Sequence, residues 1–301
     1  ARRVGARAVA CASTGNTSAS LAAYAANAGL PALVFVPSGQ VALGKLAQTL
    51  AYGAKTLLVR GDFDACFGLV KQAAEKLNVY LLKSVNPFRI EGQKTIVFEA
   101  LEQLLFDPPD WIVLPAGNLG NTSAFGKALR EARDLGLIPR LPRLACIQAQ
   151  GANPFARAFR EGFVRPHKVK ADTVATAIKI GDPASLDRGI AAIRLTNGVV
   201  TDVTDEEILE AKAVVDASGV GCEPASAASV AGVRKLAAQG VIRERDRVVA
   251  VLTGHILKDP GLLLDYHQHQ EREPPPSRAN RPIEIDARIE EVERVLGASR
   301  P

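Results

Sequence analysis

The chain has 301 residues, 47% of them hydrophobic and 23% charged, with a net charge of +5. That is the composition of a soluble globular protein with length for two domains. The Lys and Arg residues are scattered, with no basic tract and no interleaved aromatics, which argues against a nucleic-acid partner.

In chain order, Ala1–Gly5 reads as the end of a helix, Ala8–Ala12 as a short buried strand and Thr17–Ala28 as a helix stopped by Gly29 and Pro31. Ala32–Pro37 is the next strand, Ala42–Tyr52 a helix, Lys55–Arg60 a strand, Phe63–Leu77 a helix and Tyr80–Lys83 a strand. Gly92–Leu105 is helical, Trp111–Leu114 a strand, and Ala124–Asp134 helical. Leu144–Ala149 and Val248–Leu252 read as buried strands. Thr204 and Glu207 form a capping box for a helix to about Ala217. Glu271–Pro282, with three consecutive prolines, is a linker, and Ile283–Leu296 a terminal helix. Strands alternating with helices predict an α/β fold with parallel sheets in two lobes around a cleft.

Cys11, Cys66, Cys146 and Cys222 lie far apart without CxxC spacing. They read as small buried side chains of a reducing, cytoplasmic protein, not as disulfides or metal ligands. His267 and His269 belong to a polar tail, and no metal is expected. No apolar run reaches ~18 residues, so no membrane span is expected. The chain contains no Met and opens at Ala1, so a preceding segment is expected.

Two windows carry chemistry. Pro115–Ala124 reads P-A-G-N-L-G-N-T-S-A, between a buried strand and a helix. Gly and Asn tolerate the left-handed backbone that turns successive N–H groups inward, and the helix start adds unpaired N–H groups and a positive dipole end. S-T-G-N-T-S (13–18) is a second turn of the same kind. Both, with T-G-H (253–255), follow strand ends, where open parallel sheets bind ligands. Taken alone, the Asn16 turn fits equally a helix N-cap serving its own backbone.

Four blocks complete a pattern: C-A-S-T-G-N-T-S-A-S (11–20), S-V-N-P-F-R-I-E-G-Q-K-T (84–95), L-P-A-G-N-L-G-N (114–121) and L-T-G-H-I-L-K-D-P (252–260). P-S-G-Q-V-A-L-G-K-L-A-Q (37–48), A-T-A-I-K-I-G-D-P-A-S (175–185) and C-E-P-A-S-A-A-S (222–229) support it. With these the chain, from Ala1 to about Pro260, resembles the threonine synthases, in the tryptophan-synthase-β-like (fold type II) family of pyridoxal-phosphate enzymes. The asparagine turn is shared across that fold; the 84–95 block is more specific to threonine synthases.

The resemblance implies a two-lobed α/β fold with pyridoxal 5'-phosphate in the cleft. Residues 1–95 would form the smaller domain, 96–270 the larger cofactor-binding domain, and 271–301 the linker and terminal helix. It implies that Asn16 meets the cofactor's ring hydroxyl, that Gly117, Asn118, Leu119, Gly120 and Asn121 cradle its phosphate, and that Thr253 faces its ring nitrogen. A neutral hydroxyl there suits elimination and replacement better than transamination. Ser13, Thr14, Gly15 and Thr17 would hold the substrate carboxylate, and Ser84 and Arg89 its phosphate, through the planar Arg fork. Lys83 stands where related sequences have asparagine, adding charge near that phosphate. Glu223, beside Pro224 at a helix start, reads as structural.

The implied reaction converts O-phosphohomoserine and water to threonine and phosphate, in a protein expected to be a homodimer. The family's Schiff-base lysine sits in an S-F-K-D-R block that by register falls before Ala1. The chain is therefore expected to be a fragment without its catalytic lysine. Lys45 and Lys94 lie in family-like blocks but lack that context. Other fold type II enzymes (a cysteate synthase, a threonine or serine dehydratase) and a non-catalytic anion-binding α/β protein remain alternatives at this level.

Overall fold

The computed structural model describes residues 1–13, 15–39, 43–61, 63–82, 86–268 and 276–298, without the side chains of 43–45, 63–64 and 298. The chain falls into two compact units, Ala1–Pro260 and Gly261–Pro301. The first unit builds two sheets in succession. β1 (Ala8–Ala12), α1 (Asn16–Asn27), β2 (Ala32–Pro37), α2 (Leu43–Ala51), β3 (Lys55–Val59), α3 (Phe63–Leu77) and β4 (Val79–Leu81) alternate along the chain. α4 (Pro87–Gln93) and α5 (Thr95–Gln103) lead to β5 (Trp111–Pro115), α6 (Gly120–Asp134), β6 (Arg143–Ala149) and α7 (Pro154–Arg160). α8 (Leu186–Leu195), β7 (Val199–Val203), α9 (Asp205–Ala217), α10 (Pro224–Ala238) and β8 (Val248–Ala250) complete the second sheet.

Every strand pairing is parallel, in the orders β3-β2-β1-β4 and β7-β6-β5-β8. The central strands are apolar on both faces because helices cover both sides. In β1, Val9 and Cys11 enter one core cluster and Ala8 and Ala10 another. In β5, Ile112 and Leu114 pack on one side of the sheet and Trp111 and Val113 on the other, the two-residue alternation of a strand. In both sheets the chain steps outward from its first strand and then returns to that strand's other side. This reversal opens a crevice at the carboxyl ends of the strands.

The structure corrects several element boundaries. The segment predicted as one helix over Gly92–Leu105 is two, joined at Lys94, and the first starts earlier, at Pro87. Its start signal is the Asn86 side chain, which accepts from the Phe88 N–H at 3.0 Å, followed by Pro87 in the first turn. α6 starts at Gly120, inside the turn, four residues before its predicted start at Ala124. α7, α8 and β7 were not predicted at all, and of α10 only its start beside Glu223 and Pro224 was read, not its course. α10 is rich in Ala and Ser and buried over most of its surface, so it lacks the one-sided apolar stripe that marks a helix in sequence. The capping box holds as predicted, with Thr204 Oγ accepting from the Glu207 N–H and Glu207 reaching back to the Thr204 N–H.

In the second unit, α11 (Pro260–Gln268) ends near a turn where the Asn280 N–H donates to His267 Nδ1, and α12 (Ile289–Ala298) starts later than the predicted Ile283. The predicted linker lies partly outside the described residues. Among the described residues, no helix is long and apolar enough to cross a membrane, and no cluster of His, Cys, Asp or Glu is set to hold a metal ion.

α6 and α8 cross with backbone almost touching. A Cβ at Gly126 would lie 2.9 Å from the Ala192 Cα and closer still to its Cβ. Gly126→Ala is therefore expected to destabilise the fold by about 1–3 kcal/mol through overpacking, read as a lower urea midpoint at unchanged slope.

Candidate active site

A cavity of about 550 Å³ lies where β1, β5 and β8 give way to their loops. Ser13, Gly15, Asn16 and Thr17 reach it from the first sheet, with Arg89 from α4. Gly117, Asn118, Leu119, Gly120 and Asn121 reach it after β5, and Thr253 after β8. Every sequence-predicted site residue that the structure describes thus lines one cavity. Thr14, Lys83 and Ser84 lie outside the described residues.

The loop after β5 is shaped to present backbone. Leu119 holds φ +63°, left-handed geometry that a side chain rarely adopts, and α6 then begins with no side-chain cap on its first N–H groups. A Cβ at Gly117 would come within 3.1 Å of the Ile178 Cα, so a side chain there would press the 176–178 turn back from the loop by a few tenths of an ångström. Asn118 is turned outward: its Oδ1 accepts from the Ala184 N–H and its carbonyl from the Ser185 N–H. Buried Gln148 anchors the other end. Its Oε1 accepts from the Phe155 and Ala156 N–H groups while its Nε2 donates to the Ala116 carbonyl. Nothing in the sequence singled out Gln148, because its partners are main-chain atoms, which carry no residue-type signal.

The T-G turn after β8 is clasped by the start of α10. The Glu223 N–H donates to the Gly254 carbonyl at 3.0 Å, and the Gly254 N–H donates to Ser226 Oγ at 2.8 Å. Ser226 Oγ also lies 3.1 Å from Thr253 Oγ1. The N-cap role open to Asn16 is not taken: Gly15 caps α1, and the Asn16 Nδ2 donates to both carboxylate oxygens of Glu223 at 3.0 Å. Burial pushes the Glu223 carboxyl above its usual range, and the Asn16 hydrogen bond opposes that rise. Ser226 and Glu223 were the residues the sequence undervalued, although both stand in the quoted 222–229 block.

Comparison with known proteins agrees with this geometry. A family model described as pyridoxal-phosphate dependent enzyme matches residues 1–254. The threonine synthase of Methanosarcina acetivorans is 46% identical over 304 aligned residues, covering 100% of this chain and 72% of that protein. That of Methanocaldococcus jannaschii is 44% identical, covering 98% and 71%. The chain belongs to the pyridoxal-phosphate-dependent enzymes. Its fold is also that of the solved threonine synthase from Escherichia coli, with a TM-score of 0.68 at 20% identity over 98% of this chain and 71% of that one.

The cavity fits the cofactor of these pyridoxal-phosphate enzymes on its own features. The uncapped start of α6 and the close backbone approach at Gly117 suit a phosphate, as helix N-termini do generally. In the same wall, Gln93 Oε1 and Asn121 Oδ1 are buried without a hydrogen-bond partner, and a flip of either amide would turn its NH2 group inward as a donor to a phosphate.

Arg89 lies on α4, and burial lowers its pKa although guanidinium remains the charged form. α4 and its C-cap Lys94 are tied to α6 by a four-residue charge cluster in which two ion pairs cross between the helices, Lys94–Glu131 and Lys127–Glu91. Lys94 contacts Glu91 at 2.7 Å and Glu131 at 2.8 Å, and Lys127 contacts Glu91 at 3.1 Å and also Glu131. The cluster fixes the spacing between the arginine and the 117–121 loop. It also engages the Lys94 ammonium, which is not among the lining residues. The Lys45 side chain lies outside the described residues.

Burial pushes the Cys11, Cys146 and Cys222 thiols up to about 12. At pH 8 only about one part in ten thousand of each is thiolate, the reactive form. Iodoacetamide at that pH is expected to leave these three cysteines unmodified in the native protein and to label them once guanidinium unfolds it, as read by peptide mass spectrometry.

Proposed function

We propose that the chain forms the body of a threonine synthase that converts O-phosphohomoserine and water to threonine and phosphate. The observation that carries this reading is the presence, in one cavity, of two positions suited to phosphoryl groups. These are the 117–121 loop and Arg89, and they share the cavity with Asn16 and Thr253. The threonine synthase relatives, each over 40% identical along nearly the whole chain, support it.

When bound, pyridoxal phosphate supplies an electron sink for charge developing at the substrate Cα. The backbone N–H groups of 117–121 and the positive end of α6 hold its phosphate. Asn16 sits against its ring hydroxyl. Thr253, held by Ser226, faces its ring nitrogen with a neutral hydroxyl. Ser13, Gly15 and Thr17, with Thr14, offer hydroxyls and N–H groups to the substrate carboxylate. Arg89, with Ser84 and Lys83, binds the substrate phosphate and stabilises the charge that grows on it as it leaves Cγ. A dehydratase acting on free serine or threonine has no use for a half-buried arginine at this position. The working form is a homodimer in the cytoplasm, whose reducing conditions suit the buried thiols of Cys11, Cys146 and Cys222.

The direct test is phosphate release from O-phosphohomoserine by the holoenzyme. Phosphate and threonine should appear in equal amounts, with O-phosphoserine and free threonine turned over poorly. If threonine or serine is deaminated instead, the reading is wrong. Arg89→Lys keeps the charge but loses the fork, and is expected to lower kcat/KM for O-phosphohomoserine about 10–100-fold, the worth of one charge-assisted hydrogen bond, without weakening cofactor binding. Gly117→Ala should do the converse and weaken cofactor affinity about tenfold or more, read by titrating the absorbance of bound pyridoxal phosphate.

A further inference from the structure

Glu223 occupies the N-cap position of α10 without capping it. Its carboxylate is turned instead across the cleft, where both oxygens accept from the Asn16 Nδ2 at 3.0 Å. α1 belongs to the first sheet's lobe and α10 to the second's, so this contact joins them at the cavity wall. Glu223 is only 5% exposed. It is also built in: any Cβ at Gly254 would collide with the Glu223 Cδ, so residue 254 must be glycine for the carboxylate to sit there.

An asparagine amide offers an oxygen at one end and an amino group at the other, and it can flip between them. A carboxylate only accepts hydrogen bonds. Ionised Glu223 therefore admits one flip of Asn16, with Nδ2 toward α10 and Oδ1 on the opposite side of the amide. We propose that Glu223 is a positioning residue that selects the flip of Asn16, and so sets the hydrogen-bonding polarity shown to the ring hydroxyl of the bound cofactor. This rests on the cofactor reading given above, but not on the identity of the substrate.

Protonated Glu223 gains a donor and admits the opposite flip as well. Burial favours that form, and the Asn16 bond and Lys258 oppose it. Asp259 favours it further. The neighbouring Cys222 thiol, pushed up to about 12, stays neutral over the same range. As pH falls, Glu223 protonates and its hold on the amide is released.

The test uses the holoenzyme before any substrate is added, so a wrong substrate class would appear in the phosphate-release assay and leave this result intact. In the wild type, the absorption band of bound pyridoxal phosphate should change on the acid side with a single midpoint. Glu223→Gln, nearly isosteric and able to present either end of its amide, should lose that transition and shift the band at neutral pH. It should also lower kcat about tenfold with KM within twofold, the pattern of a lost positioning bond. Glu223→Asp keeps an acceptor-only group and should keep the acid transition, which provides the same reading if the Gln variant folds poorly. In the Asn16→Ala background, Glu223→Gln should change nothing further. An unchanged band and acid transition in Glu223→Gln would overturn the proposal. So would an equal loss of kcat in the Asn16→Ala background, since a merely structural glutamate would act without Asn16.

Discussion

Parallel strands end on the same edge of their sheet, and that constraint places almost everything else. Each sheet reverses its strand order beside its first strand, so the loops leaving β1 and β5 open at a crevice that no crossover helix can cover. The loop leaving β8 joins them because β8 is the strand added on the far side of β5. Three segments far apart in sequence, around residues 15, 118 and 253, thereby line one cavity. No long-range signal in the sequence is needed to bring them together; strand direction does it.

What the cavity does with charge is less obvious. Among its described lining residues the charged side chains are Arg89, Lys258, Glu223 and Asp259, two positive and two negative, so their formal charges cancel. Attraction for anions at the 117–121 loop must then come from oriented backbone: left-handed Leu119, the uncapped first turn of α6 and that helix's dipole. Such donors need no side chain to be desolvated and carry no counter-charge to neutralise. They also keep their geometry, because Gln148 and the 176–185 segment hold the loop from both sides.

The fold class and the cavity's membership were legible in the sequence because both follow from short local patterns. A buried strand running into a Gly- and Asn-rich turn is visible in ten residues, and so are Thr204 and Glu207 as a capping box. What was not legible depends on partners distant along the chain. α10 gives no amphipathic signal because neighbours surround it on most sides, and Glu223 reads as a helix-start acid until Asn16 is seen opposite it. Asn86 and Pro87 were not read as a helix start, yet they begin one, and Arg89 rides on its first turn. Gln93 and Asn121 became informative only when their oxygens proved buried and unpartnered.

The clasp between α10 and the T-G turn also explains why position 253 carries a hydroxyl. Gly254 is bonded through its carbonyl to the Glu223 N–H and through its N–H to Ser226 Oγ, so Thr253 stands one residue from a buried carboxylate. A carboxylate at 253 would add a further like charge to the buried Glu223 and the half-buried Asp259 of the same lining. One of them would be driven to protonate, with its pKa raised by the others. A neutral Thr253 avoids that conflict and takes Ser226 Oγ as its partner at 3.1 Å. In the reading proposed above, the weaker pull on the cofactor's ring nitrogen and the carboxylate behind Asn16 are then two sides of one electrostatic choice. Among the described lining residues Glu223 is the buried acid, and it stands opposite the asparagine.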